Sequence, residues 1–205
     1  MENCREKYKN ISETDPFSGY DCVIWDFNGT VLDDVDIGIE SVNRLLSRRG
    51  LKTLQSREEY RALFDFPIID YYRRLGFDFS RQSYDELAVE WVREYDSLEP
   101  TAPVRGGVRE LIGLLSGRGV RQLILSATEK TMLDRQLERL GMSGCFEEVL
   151  GREDILAGSK TAVAQRWRAS NPTARAVVLG DTVHDIETAQ TIGADCILVA
   201  EGHQS

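Results

Sequence analysis

Short apolar runs alternate along this chain with segments whose apolar residues recur every three or four positions. CVIW (residues 22–25), QLIL (122–125) and AVVLG (176–180) are near-continuous apolar stretches, and DCILV (195–199) is a weaker fourth. Runs of this kind, with no regular polar partner, predict strands buried on both faces, as in a parallel sheet covered by helices. Between them, Val108, Leu111, Ile112 and Leu115 share a helical face that stops near Gly117 and Gly119, and Met132, Leu133, Leu137 and Leu140 do the same before Gly141. Residues 35–100 hold no strand-like run. They carry Val35, Ile39, Val42 and Leu46 before Gly50, then Tyr84, Ala88, Trp91 and Tyr95 before Pro100, which predicts an all-helical insertion. The expected organisation is an α/β core with a parallel sheet, formed by residues 1–34 and 101–205, and a small helical cap domain of residues 35–100 inserted after the first strand. Residues 1–18 read as a flexible or surface extension.

Composition narrows the classes of partner. At 205 residues, 41% hydrophobic and 29% charged, the chain reads as an ordinary soluble globular protein with a substantial core. Its net charge of -9 and pI near 4.9 oppose binding to nucleic acid or an anionic membrane, both of which are polyanions. No apolar run approaches the roughly 20 residues of a membrane span, and the charged opening segment does not read as a signal peptide. Cys4, Cys22, Cys145 and Cys196 show no paired spacing, so neither a zinc site nor a disulfide framework is expected, and the location reads as cytoplasmic. The expected state is a monomer or weak dimer. Asn10-Ile11-Ser12 matches a glycosylation sequon, which in a cytoplasmic chain arises by chance.

The apolar runs end in residues that carry chemistry. Asp26 follows CVIW, Ser126 follows QLIL, and Asp181 follows AVVLG. Ligands of open α/β sheets sit beyond the carboxyl ends of the strands, so these three residues, far apart in sequence, are expected at one sheet edge. Gly29 and Thr30 follow Asp26 in a turn whose backbone amides can approach a phosphate. Each of these residues also has a plainer use. A serine at a strand end caps helices, Lys160 after Gly158-Ser159 suits a solvated helix start, and Asp181 and Asp185 suit a helix N-terminus.

Taken in order, DFNGT (residues 26–30), LILS ending at Ser126, AGSKTAV around Lys160 and GDTVHD (residues 180–185) resemble the haloacid dehalogenase-like hydrolases over nearly the whole chain. The helical insertion is similar to that of the phosphoglycolate phosphatase-like branch, as is the closing CILVAEGHQS with its Gly202-His203 pair. The resemblance implies a Rossmann-like three-layer core and a phosphatase-type hydrolase acting on a small phosphorylated metabolite. In that picture Asp26 attacks phosphorus to form an aspartyl phosphate, and Mg²⁺ is held by Asp26, the carbonyl of Asn28 and Asp181. Ser126, Ala127, Gly29, Thr30 and Lys160 bind the phosphoryl group, and Asp185 supports Lys160 or a metal-bound water. Arg57, Arg61, Arg73 and Arg74, in the insertion, could grip a substrate carboxylate or could lie on a solvated face. The stretch FPIIDYYRRLGFD is the first place to seek a specificity element.

One position departs from the family pattern. Where those phosphatases carry a second Asp that protonates the leaving group and then activates water, this chain has Asn28, which trades no proton near neutral pH. Acid-base help of this type is worth about 10²–10⁴ in rate, so the change should cripple turnover and spare phosphate and metal binding. Several readings stay open: a slow phosphatase of an activated substrate, a proton supplied by another group such as His184, a non-catalytic phospho-ligand-binding or regulatory protein, and an engineered substitution. Asn28-Gly29 is also a dipeptide prone to deamidation, which would restore an aspartate.

Overall fold

The computed structural model describes residues 15–152 and 160–204. The Asn10-Ile11-Ser12 sequon and the Gly158-Ser159 pair lie outside the described residues, as does most of the expected N-terminal extension. From Asp15 onward the chain is tied down: Asp15 pairs with Arg118 at 2.5 Å, and Phe17 and Tyr20 pack against the core.

Five parallel strands form one sheet: β1 (Cys22–Trp25), β2 (Arg121–Glu129), β3 (Glu148–Arg152), β4 (Ala176–Gly180) and β5 (Asp195–Leu198), in the spatial order β3-β2-β1-β4-β5. Four helices follow β1, namely α1 (Val35–Arg48), α2 (Arg57–Leu63), α3 (Ile68–Arg74) and α4 (Tyr84–Leu98). The sheet is then completed around α5 (Val108–Gly117), α6 (Lys130–Arg139), α7 (Lys160–Ser170) and α8 (Val183–Ile192).

The pleat sorts the apolar runs onto two faces. Val23, Trp25, Ile124, Val177 and Leu179 point to one side, where they meet Val108, Ile112 and Leu115 of α5 and Leu133 and Leu137 of α6. Cys22, Ile24, Leu123, Leu125, Ala176 and Val178 point to the other, against Val163, Ala164 and Trp167 of α7 and Ala189 and Ile192 of α8. With helices on both faces, each central strand is apolar throughout, which is why the runs lack alternation. Cys22 lies within this packing, and burial pushes its thiol up to about 12.

The order of connections opens the site. From β1 the chain winds outward through β2 and β3 by way of one helical layer, then returns beside β1 at β4 and uses the other layer. The loops leaving β1 and β4 diverge to opposite faces, so a crevice opens at their carboxyl ends. The helices between β1 and β2 gather on an apolar cluster of their own, built from Val42, Leu45, Leu46, Tyr60, Tyr71 and Leu87 among others. No helix among the described residues is long and apolar enough to cross a membrane.

Two departures from the sequence pattern have physical reasons. β3 was not expected: EVLGR is short, flanked by charge, mostly half-buried and at the sheet edge, so it lacks the continuous apolar signature of the centre. β2 runs past Ser126 to Glu129, although its pairing with β1 ends at Ile124 and its register with β3 shifts between Leu125 and Glu129. The shift is a local irregularity of the kind that re-aims side chains near sites.

One buried polar contact pins β1, β2 and α5 together. The Trp25 indole N–H donates to Gln122 Oε1 at 3.2 Å, and Gln122 Nε2 donates to the Ile112 carbonyl at 3.0 Å and to Ser116 Oγ at 2.9 Å. Gln122→Ala orphans the buried Trp25 indole N–H and is expected to lower stability by about 2 kcal/mol. In urea unfolding the loss should shrink when Trp25→Phe is already present; a fully additive pair would show that the contact contributes nothing.

Candidate active site

The register puts three chemical residues at one edge. Trp25 pairs with both Ile124 and Leu179, so Asp26 lies one residue beyond the last paired position of its strand, and Ser126 and Asp181 lie two beyond theirs. Asp26, Asn28, Ser126, Ala127, Lys160, Asp181 and His184 all line one cavity of about 520 Å³. Gly29, Thr30 and Asp185 lie behind that surface and support it.

Four carboxylates crowd this edge. Oxygens of Asp26, Asp181 and Asp185 lie within 4.8 Å of one another, and Asp34 is buried close by. Lys160, the first residue of α7, donates to both Asp26 and Asp185. The second oxygen of Asp185 accepts from the Asp181 and Thr182 backbone N–H groups at 3.1 and 2.9 Å. Its helix-start use and its contact with Lys160 are thus one arrangement, each oxygen serving one of them. Burial pushes Asp26 up to about 8, and the charges of Asp185 and Asp181 add to this against the opposing Lys160. Asp181 is raised chiefly by burial too. Burial also disfavours the Asp185 anion, but Lys160 and the helix-start hydrogen bonds more than offset it and hold its carboxyl low.

The donor set fits a hard divalent cation. Asp26 and Asp181 present carboxylate oxygens, and around them four carboxylates face two cationic partners, Lys160 and His203. That leaves a local excess of negative charge which Mg²⁺ would neutralise, and oxygen-only ligands are the type that ion takes.

The backbone near Asp181 is packed too closely for any side chain. Gly29 has φ +73°, and a Cβ built on it would overlap the Asp181 carboxylate and the His203 ring; a Cβ on Gly202 would overlap Asp181 as well. These glycines let the turn after β1 and the closing segment meet over one carboxylate. Asp181 Oδ1 accepts from Thr30 Oγ1 at 3.1 Å, and Oδ2 accepts from the His203 backbone N–H at 2.6 Å.

Asn28 is held on every side. Its amide N–H₂ donates to Asp34 Oδ2 at 2.9 Å and to Tyr95 Oη at 2.8 Å, and its Oδ1 accepts from Thr128 Oγ1 at 2.9 Å. The surroundings therefore suit an amide, with acceptors facing its nitrogen and a donor facing its oxygen. Asp34 also accepts from the Gly29 backbone N–H at 2.7 Å and Tyr95 Oη at 2.6 Å, and it lies 3.2 Å from His203 Nε2. Tyr60 Oη bonds the other ring nitrogen, His203 Nδ1, at 2.7 Å. Sequence reasoning missed Asp34, Thr128, Tyr60 and Tyr95, and noted His203 only through the Gly202-His203 pair. Tyr60 and Tyr95 carry no motif, because each also serves as an apolar helix position.

The expected cap elements sit differently from one another. His184 is half-exposed and stacks on Phe66, with ring centroids 3.7 Å apart, so it forms a contact between core and insertion. Arg57 pairs with Asp36 at 2.7 Å, Arg73 with Asp70 at 2.6 Å and Arg74 with Asp65 at 3.1 Å, while Arg61 donates to the Gly202 carbonyl at 2.9 Å. None of the four lines the cavity. FPIIDYYRRLGFD does reach it, through Phe66, Ile68, Tyr71 and Tyr72.

The Asp34–His203 pair makes stability depend on pH. Burial alone would lower His203, but Asp34 more than offsets it and leaves the imidazole above its ordinary value; the same pairing holds Asp34 low. The Asp34 contribution is present above its unfolded value near ~4 and lost in stronger acid, and the His203 contribution is complete below ~6.5 and lost as pH rises through its raised value. His203→Gln, unfolded in urea with chelator present, should therefore cost most, about 3 kcal/mol, between roughly pH 4 and 6.5, and less in alkali. A cost that does not vary with pH would mean that the pair is not ionic.

The family model for haloacid dehalogenase-like hydrolases matches residues 23–199. A phosphoglycolate phosphatase of Pseudomonas fluorescens is 22% identical over 190 residues, covering 88% of this chain and 70% of that one. Among solved structures, Protein Tyrosine Kinase A of Mycobacterium tuberculosis superposes with a TM-score of 0.75 at 24% identity, covering 91% of this chain and 86% of that one. A haloacid dehalogenase-like family hydrolase of Streptococcus pneumoniae gives 0.75 at 16% identity, with 91% and 87% covered. At these identities the superpositions establish the fold.

Proposed function

The chain belongs to the haloacid dehalogenase-like hydrolases, and from that premise we propose that it is a Mg²⁺-dependent phosphatase of a small phosphorylated metabolite, slowed by Asn28. The observation that carries this reading is the buried cluster of Asp26, Asp181 and Asp185 with Lys160 at the mouth of a parallel sheet. Asp26 and Asp181, with the carbonyl of residue 28, would hold Mg²⁺, which when bound supplies charge neutralisation for an anionic nucleophile facing an anionic phosphate.

The residues themselves divide the work. Asp26 is the nucleophile: its carboxylate oxygen attacks phosphorus, the bond to the leaving oxygen breaks, and an aspartyl phosphate forms. Lys160 lowers the charge on Asp26 as it attacks, and Asp185 fixes Lys160 by a bond on one side while α8 holds Asp185 on the other. Ser126 and the Ala127 amide bind phosphoryl oxygens at the end of β2. Asn28 can donate and accept hydrogen bonds, but it neither protonates the leaving group nor deprotonates the attacking water. Both halves of the cycle lose their proton carrier. The second half loses more, because water is the poorer nucleophile.

Asp26→Asn should abolish covalent labelling and turnover, and chelation of Mg²⁺ should do the same reversibly. Asn28→Asp should raise steady-state turnover about 10²-fold. Beside Asp34 the introduced carboxyl would keep its proton to higher pH, which is the state a general acid needs. If Asp26→Asn leaves hydrolysis intact, the mechanism is wrong. Thermal stabilisation by phosphorylated compounds with no turnover in either wild type or Asn28→Asp would favour the alternative, a phospho-ligand-binding or regulatory protein of this fold.

A further inference from the structure

We infer that the substrate is an aryl phosphate, a phosphate monoester of a phenol, with its ring seated beneath the cap; this rests on the phosphatase reading above. Two independent features of the molecule lead there, one from the cap and one from the core.

The first is the lining of the cavity. Its floor holds Asp26, Ser126, Lys160 and Asp181, and its roof is aromatic, with Tyr60, Phe64, Phe66, Tyr71, Trp91 and Tyr95 drawn from α2, α3, α4 and the loop between the first two. Among the described residues the lining lysine and arginine side chains are Lys160 and Arg152, both from the core; the insertion contributes neither. Its arginines Arg57, Arg73 and Arg74 are paired with carboxylates and Arg61 with a backbone carbonyl, none of them at the cavity. A carboxylate or a second phosphate on the substrate would thus face aromatic rings of the insertion and meet no lysine or arginine from it, the cationic side chains at the cavity, Lys160, Arg152 and His203, all coming from the core. An aromatic ring would meet stacking and edge contacts of the kind these side chains already make with one another, as Tyr60 does with Phe64 and Trp91 with Tyr95. A cavity of about 520 Å³ is the size of a small-molecule site.

The second feature is Asn28. When Asp26 attacks, the P–O bond to the leaving group breaks and its electron pair goes to that oxygen. An alkoxide, whose alcohol is about as weakly acidic as water, needs a proton from the enzyme at that moment. A phenolate, with a conjugate acid near ~10, leaves as the anion and takes its proton from solvent afterwards. Asn28, locked by Asp34, Tyr95 and Thr128, supplies no proton. The cavity roof selects a ring, and the floor processes only a leaving group of the acidity that a phenol has. In the second half-reaction water attacks phosphorus, the bond to Asp26 breaks with its electron pair returning to the carboxylate, and a phosphoryl oxygen takes the water's proton. That step lacks a base at residue 28 and limits the cycle.

The test uses the full chain with Mg²⁺ and reads binding and chemistry separately. Thermal shifts are measured with phenyl phosphate, free phosphotyrosine, a phosphotyrosine peptide, phosphoglycolate and inorganic phosphate; release of the phenol 4-nitrophenol from 4-nitrophenyl phosphate is followed by stopped flow. The aryl phosphates should stabilise the protein at concentrations at least tenfold lower than phosphoglycolate or inorganic phosphate, and Trp91→Ala should remove that preference. Free phosphotyrosine acting without the peptide assigns a small-molecule source, and the peptide acting as well assigns a protein one. Phenol should appear in a burst of about one equivalent per chain followed by slow turnover, with no corresponding burst of alcohol from alkyl phosphates. Stabilisation or turnover by phosphoglycolate equal to that by phenyl phosphate would overturn the substrate class and leave the phosphatase reading standing. Aryl-selective stabilisation with no phenol released would overturn the phosphatase reading and uphold the ligand class.

Discussion

Everything at this site follows from the need to keep several carboxylates together in a poorly solvated place. Asp26, Asp181, Asp185 and Asp34 converge because β1 and β4 are neighbours whose following loops diverge. Like charges this close raise one another's proton affinity, and burial adds to it, so the cluster exists only with cations threaded through it. Lys160 supplies one, at the start of α7, and His203 another, from the closing segment after β5. Four stretches of the chain, around residues 26–34, 160, 181–185 and 203, are bound together by this balance. The glycines at 29 and 202 are its steric counterpart, since without them the closing segment could not reach Asp181.

Asn28 belongs to the same balance. A carboxylate in its place would set another negative oxygen against Asp34 Oδ2, where the amide now donates. The amide relieves that repulsion and gives up proton transfer, and Thr128 and Tyr95 fix it in one orientation. Asp34, the residue preceding α1, shows a related diversion. Its side chain makes no helix cap and instead gathers Gly29, Asn28, Tyr95 and His203. Residue 28 is therefore coupled to α4 through Tyr95 and, through His203, to Tyr60 of α2. The floor of the site and the helices above it share hydrogen bonds.

The fold was legible in the sequence where burial was complete. The central strands, the sheet edge that gathers Asp26, Ser126 and Asp181, and the long helices α1, α4, α5 and α6 could all be read from apolar runs and their breakers. β3 could not, because an edge strand is half-buried and its residues need not be uniformly apolar. Asp26, Lys160, Asp181 and Asp185 stood out because each occupies a strand end or helix start in a recognisable order. Asp34, Tyr60, Tyr95 and Thr128 were hidden for a physical reason: their roles depend on contacts spanning up to 169 residues, and the same residue types are used everywhere for helix faces and turns.

The insertion shows the limit of arguing from residue type. Four of the insertion's arginines, Arg57, Arg73, Arg74 and Arg61, invite an anion-gripping role, but a guanidinium acts only where it points, and these point to Asp36, Asp70, Asp65 and the Gly202 carbonyl. Their bonds leave the inner surface of the insertion to rings. Burying those rings over a charged floor also sets the dielectric of the site. An apolar roof excludes water, strengthens the attraction between Lys160 and Asp26, and would do the same for a bound phosphoryl group. On the proposed function, the residues that would choose the organic part of a ligand are then also the ones that would intensify the electrostatics beneath it, so specificity and reactivity would come from one packing arrangement.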